Sequence, residues 1–190
     1  MNVHLSSLFL TGLLSTMALG HQVRIGPGTP HATIAAGLAA ARDGDTLVIA
    51  GGHYPENGLV VEKSVVIRGE SGAVLDAGGG PTILEIRADD VSVSHLTFRN
   101  VGVNHLREHA AVWIMEARRT HIGNSRFENT FFGVYGLRAF GSVIRDNVLE
   151  GMRTGELANG NGLHFWKSDS ITITGNAVRG HRDGIYLEFT

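Results

Sequence analysis

Five side chains in this sequence have the chemistry of a soft-metal site: His105, His109, His164, His181 and Met152. Neutral imidazole nitrogens together with a thioether sulfur suit Cu(I). The chain has no cysteine, which excludes thiolate ligands, disulfides and thiol nucleophiles. Copper, the one cofactor these residues suggest, would therefore rest on His and Met. Met115 and Met152 are the only methionines beyond residue 20. His105 and His109 share a face only if their segment is helical. A solvated loop role for these histidines stands beside the metal reading.

A second group is aromatic. Trp113, Tyr135, His164 and Tyr186 fall at matching places in successive similar segments, with Trp166 two residues after His164. On extended chain, alternation sends Val112, Ile114, Val134, Leu163, Phe165, Ile185 and Leu187 to one side and these rings to the other. An outward ladder of amphipathic rings suits a protein partner or the face of a sugar. A purely stabilising stack is the other reading.

Hydrolysis of a glycosidic bond needs two carboxyls flanking it. The same outer surface offers Lys167, Asp169, Asp183 and Glu188, with no carboxylate pair recurring on neighbouring segments. Arg182 and Asp183 read as a turn ion pair. No Walker motif is present. The chain is expected to bind rather than to catalyse.

These side chains must be positioned by a repeat. Segments beginning at Ala111, Gly133, Gly162 and Gly184 are spaced by 22, 29 and 22 residues. Aligned, they place Val112, Val134 and Leu163 in one column, Ile122, Ile144 and Ile173 in a second, and Phe127, Leu149 and Val178 in a third. Asn147 and Asn176 share a turn column with Ser125. A period near 22 with several short strands per unit is the signature of an all-β, right-handed parallel β-helix. One such unit cannot bury its own apolar face, so the units must stack. The 29-residue steps place surplus chain within 102–109 and 153–160, at one corner of the coil, beside the ring ladder.

The remaining chain fits this frame. The 26 glycines among 190 residues, against four prolines, suit a fold with many tight corners. A formal net charge of −2 gives no basic excess for nucleic acid. Residues 1–20 read as a secretory signal: Leu8, Phe9, Leu10, Leu13 and Leu14 form a short apolar run, and Ala18 and Gly20 stand at −3 and −1 of a cleavage site. A buried first helix is the alternative. Residues 21–43 read as an N-terminal cap whose helix, 31–42, presents Ile34, Leu38 and Ala41 on one face. Coils are expected over 44–190.

Two runs one coil apart, Asn159-Gly-Asn-Gly-Leu-His-Phe-Trp166 followed by Lys167, and His181-Arg-Asp-Gly-Ile-Tyr-Leu-Glu188, resemble the paired signature of the NosD family. These are periplasmic β-helix accessory proteins of nitrous oxide reductase maturation. Ala32-Thr-Ile34, the run from Gly44 to Tyr54 and Gly72-Ala-Val-Leu-Asp76 are similar to that family's opening coils and to those of many β-helix proteins. The resemblance implies a periplasmic partner of an ABC transporter and of nitrous oxide reductase, supporting assembly of the reductase's copper–sulfur centre. Trp113, Tyr135, His164, Trp166 and Tyr186 are then the expected partner-binding residues. The family carries many further coils, so this chain is expected to be the N-terminal portion of a longer stack. An extracytoplasmic carbohydrate-binding or polysaccharide-modifying protein is the alternative.

Overall fold

Runs of three to six residues rich in Val, Ile and Leu alternate with corners, and the corners decide the architecture. Asn100, Glu116, Arg119, Asn124, Arg138, Asp146, Lys167 and Ser170 all hold left-handed backbone with φ between 49° and 57°, which turns the chain too sharply for a hairpin-free strand to continue. The computed structural model describes residues 20–152, 155 and 159–190. The signal reading therefore falls almost wholly outside the described residues, as does most of the expected insertion at 153–160.

The chain opens with strand β1 (Gln22–Ile25) and helix α1 (Ile34–Ala40). The first coil is β2 (Thr46–Ile49), β3 (Gly52–Tyr54) and β4 (Leu59–Val61). The second is β5 (Val66–Gly69), β6 (Ala73–Asp76) and β7 (Leu84–Ile86). The third is β8 (Ser92–Ser94), β9 (Thr97–Arg99) and β10 (Ala110–Met115). The fourth is β11 (His121–Gly123), β12 (Arg126–Thr130) and β13 (Phe132–Leu137). The fifth is β14 (Val143–Arg145), β15 (Val148–Gly151) and β16 (Leu163–Trp166). The sixth is β17 (Thr172–Thr174), β18 (Ala177–Arg179) and β19 (Ile185–Glu188). Each coil gives one strand to each of three parallel sheets: β1-β2-β5-β8-β11-β14-β17, β3-β6-β9-β12-β15-β18 and β4-β7-β10-β13-β16-β19. These are sheets A, B and C below.

The register matches the aligned columns. Val112 pairs with Val134, Val134 with Leu163, and Leu163 with Ile185. Ile122 pairs with Ile144 and Ile144 with Ile173, and Phe127 with Leu149 and Leu149 with Val178. Side chains one coil apart therefore touch inside: Phe98 stacks on Phe127 at 5.2 Å. Gly136 lies in the inward column between Ile114 and Phe165. A Cβ there would stand 2.4 Å from the Phe165 ring, so the missing side chain is the space that ring fills. The Asn column runs down the corner between sheets A and B. Asn147 Oδ1 accepts from the Ser125 amide at 3.0 Å, and Asn176 Oδ1 from the Asn147 amide at 3.0 Å. Buried corner amides are thus satisfied by the next coil.

The N-terminal segment departs from its reading in two ways. β1 already belongs to sheet A, paired with β2, so the stack reaches back before the helix. The helix is also shorter than 31–42. Thr33 is its N-cap, its hydroxyl accepting from the Ala36 amide, and Ala41 is already extended. Later residues finish its ends: Glu56 accepts from the Ile34 and Ala35 amides, and Lys63 Nζ donates to the Leu38 and Ala39 carbonyls. The expected face holds, with Ile34 and Ala41 buried and Leu38 packed against the core.

At the other end β17, β18 and β19 close their sheets with one edge free. Ile185, Leu187 and Phe189 are exposed there, Phe189 by 73%. Open parallel edges beside apolar side chains template further pairing. The purified chain is expected to associate with rising concentration in sedimentation velocity runs, and Leu187→Lys with Phe189→Glu should suppress this. Monodisperse sedimentation of the unsubstituted chain at high concentration would contradict it.

Candidate functional site

The outer face of sheet C carries the ring ladder because the strands are in strict register. Trp113 pairs with Tyr135, Tyr135 with His164 and His164 with Tyr186. The rings touch in sequence, with centroids 5.4, 4.6 and 5.0 Å apart, and the Tyr135–His164 step is stacked. Met115, Leu137, Trp166 and Glu188 form the neighbouring file. Lys167 Nζ lies 4.8 Å from the Trp166 ring centroid.

The expectation that all five rings are exposed needs correction. Tyr186 is 37% exposed and Trp113 and Trp166 are half-buried, but Tyr135 is 4% and His164 7% exposed. The cover comes from residues that alternation did not single out. β12 runs into β13 through Phe131 alone, and Phe131 and Phe132 stand edge to face at 4.8 Å. Phe132 then lies edge-on against both Tyr135 and His164, at 5.5 and 5.6 Å. Ala110, Phe131, Phe132 and Tyr135 form a second apolar cluster outside the coil, with Trp113, Leu137 and Met152 packed on it. The Phe-Phe pair before Gly133 was the available signal. Only the absence of a loop between β12 and β13 turns those rings onto this face.

The segment between β9 and β10 completes the cover. Its His105 ring meets Phe131 edge to face at 5.0 Å, and its Glu108 carboxylate lies close enough to the Tyr135 phenol to raise it. This is the sheet B to sheet C corner, and the segment between β15 and β16 leaves the same corner. The tip presents Leu106, 97% exposed, with Val103 also exposed.

Beneath the tip, His105, Glu108, Phe131, Phe132, Asn159, Gly160, His164 and Arg182 line a cleft of about 120 Å³. Asn161 Nδ2 lies 3.1 Å from His164 Nδ1. Burial holds the His164 imidazole below its usual range, against the opposing pull of Glu108 and Glu188. Burial likewise raises the Tyr135 phenol, helped by its bond to Glu108. His181 is pushed down to about 4 by burial, with the Phe131 and Gly160 carbonyls acting in the opposite direction. Neither of its ring nitrogens makes a well-formed hydrogen bond. His109 is also lowered by burial, with the Gly102 carbonyl acting in the opposite direction.

The histidine and methionine pool is not assembled into a metal site. Among the described residues, no three His, Cys, Asp or Glu side chains are grouped to hold a metal ion. His105 and His164 share the cleft, but the Arg182 guanidinium shares it with them and opposes a cation. Met152 packs on the apolar cluster. Elsewhere, Glu128 and Glu150 are register partners on sheet B, and Arg126 bridges both, at 3.1 and 3.5 Å. That makes them members of an ion-pair ladder.

Comparison with known proteins agrees with this geometry. Residues 82–190 match the family described as right handed beta helix region. The chain is 30% identical over 164 residues to the probable ABC transporter binding protein NosD of Pseudomonas aeruginosa, covering 84% of this chain and 38% of that protein. It is 30% identical over 132 residues to the protein of the same description from Stutzerimonas stutzeri, covering 66% of this chain and 29% of that one. The chain thus spans well under half the length of these curated relatives. Among solved structures, a pectin methylesterase bound to a hexasaccharide superposes with a TM-score of 0.55 at 17% identity, covering 90% of this chain and 67% of that one. Pectin methylesterase PemA from Erwinia chrysanthemi gives 0.55 at 17% identity, covering 89% and 67%. At that identity the likeness is one of fold. The resemblance to NosD read from the sequence holds over most of the chain.

Proposed function

This chain belongs to the right-handed β-helix family, and from that membership and its outer surface we propose that it is an extracytoplasmic accessory protein that docks a protein partner on sheet C. The partner is a component of an ABC transporter that serves nitrous oxide reductase maturation. The description of the NosD relatives as transporter binding proteins supports this reading. Among the described residues, no helix is long and apolar enough to cross a membrane. Copper enters as the cargo of the assembly rather than as a ligand of this chain.

The observation that carries the proposal is the apolar rim of the outer face. Leu106 stands almost fully exposed on the loop whose His105 packs against Phe131, and Trp113, Trp166 and Tyr186 lie partly exposed on the outer face of sheet C. Apolar and aromatic anchors presented on a rigid support dominate protein interfaces, and truncating one typically costs about 2 kcal/mol, or roughly thirtyfold in affinity. Trp166→Ala, Tyr186→Ala and Leu106→Asp are each expected to weaken capture of the transporter subunit or the reductase by that amount, with circular dichroism unchanged. A parallel oligosaccharide-binding assay separates the carbohydrate reading: loss of glycan binding with partner capture intact would favour it. Unchanged capture in all three variants would remove sheet C as the docking face.

A further inference from the structure

We propose that the cleft between Glu108 and Arg182 binds a compact zwitterion of the α-amino acid class, its ammonium against the Glu108 carboxylate and its carboxylate against the Arg182 guanidinium and His164 Nε2. This site lies beneath the loop that carries Leu106, and its small-molecule test is read without the docking partner.

The cleft is lined by side chains of opposite charge, Glu108 and Arg182. Glu108 sits at a left-handed φ of 47° with its carboxylate close to the Tyr135 phenol. Arg182 donates its backbone amide to the Gly160 carbonyl at 3.0 Å, and its Nε to Asp183 Oδ2 at 3.2 Å. Its two terminal NH₂ groups remain for a ligand. His164 lines the same cleft, its Nδ1 3.1 Å from Asn161 Nδ2; when Nδ1 accepts from that amide, Nε2 carries the proton and is a second donor. Phe131 and Phe132 supply an apolar floor.

These features select among ligand classes. A lone anion meets the Glu108 carboxylate, and a lone cation meets Arg182, so each leaves one wall opposed. A dipolar ion satisfies both walls at once. The cleft, about 120 Å³, is well below the roughly 300 Å³ where sites for drug-sized ligands begin. Glycine and alanine fit that space, and an aromatic amino acid does not. Arg182 and His164 lie within the two runs that carry the NosD resemblance, but neither run by itself discloses Glu108, which arrives from a loop about 50 residues earlier.

Calorimetry and ¹H–¹⁵N spectra of the purified chain test this with glycine, L-alanine, acetate, methylammonium and L-tryptophan. Glycine and alanine are expected to bind and to shift amides around residues 105–109 and 181–183. Acetate, methylammonium and tryptophan should bind at least about tenfold more weakly. Glu108→Gln removes the charge while keeping the side chain's size, and Arg182→Gln retains the backbone contact. Each should lower glycine affinity by about tenfold or more with thermal stability preserved. Absence of glycine and alanine binding, equal binding by either single-charge probe, or full affinity in both variants would overturn the proposal.

Discussion

Lowering the pH from 7 to about 4 is expected to remove on the order of 3 kcal/mol of folding stability through His181 alone. Its imidazole titrates near 4 in the fold, against an ordinary value of 6.5, because it is sunk behind Phe131 and Gly160. Below pH 6.5 the unfolded chain takes up this proton and the folded chain does not. The unfolded state therefore binds more protons across the window from 6.5 to 4, and stability falls as pH falls. Above 6.5 the contribution is fully present. His164 and His109 are shifted in the same direction and should steepen the loss. Urea unfolding at a series of pH values should show this slope, and His181→Gln should flatten it. A slope unchanged in that variant would assign the acid sensitivity to other groups. The site of the effect matters for function, since protonating His181 disturbs the corner that carries Phe131 and the cleft.

Asp76→Ala is expected to cost about 3 kcal/mol, in the range found when one partner of a largely buried charge network is removed. Asp76 is the acceptor for four donors drawn from three successive coils. Oδ2 takes His53 Nε2 at 2.9 Å and Arg99 Nε at 2.8 Å, and Oδ1 takes Asn100 Nδ2 and the Gly78 amide at 2.9 Å each. These bonds outweigh the burial that acts to raise the carboxyl and hold its pKa far below the usual range. A lowered carboxylate contributes stability above its unfolded value of 3.8 and loses it only as pH falls further. Asp76 is thus silent in the window where His181 acts. Thermal unfolding of the Ala variant at pH 7 checks the cost, and Asp76→Asn should recover part of it by keeping an acceptor for Gly78 and Asn100. A loss below about 0.5 kcal/mol, the level of ordinary surface substitutions, would show the network to be dispensable.

Much of the solenoid was legible because a parallel coil repeats its own chemistry. Val112, Val134 and Leu163 could be aligned from the 22- and 29-residue spacings, and the sheet registers reproduce that alignment. The Asn147 and Asn176 column could be read for the same reason, as each amide serves the coil before it. The helix ends were less legible. Their partners, Glu56 and Lys63, come from a coil more than 20 residues away, and no local pattern announces them.

By itself the sequence determined which rings share a file on sheet C, because period-two alternation and the coil repeat are both local regularities of the chain. It could not determine which rings stay in water. That depended on Phe131 and Phe132 turning outward where β12 meets β13, and on the 101–109 loop folding back over Tyr135. The histidine pool shows the same division. Four imidazoles and a thioether are visible in one dimension, but their grouping depends on loop paths, and the loops divide them between a cleft, an apolar cluster and buried corners. Glu108 and Arg182 line one cleft for the same reason: the solenoid brings loops of different coils to one corner, and only tertiary structure decides what meets there.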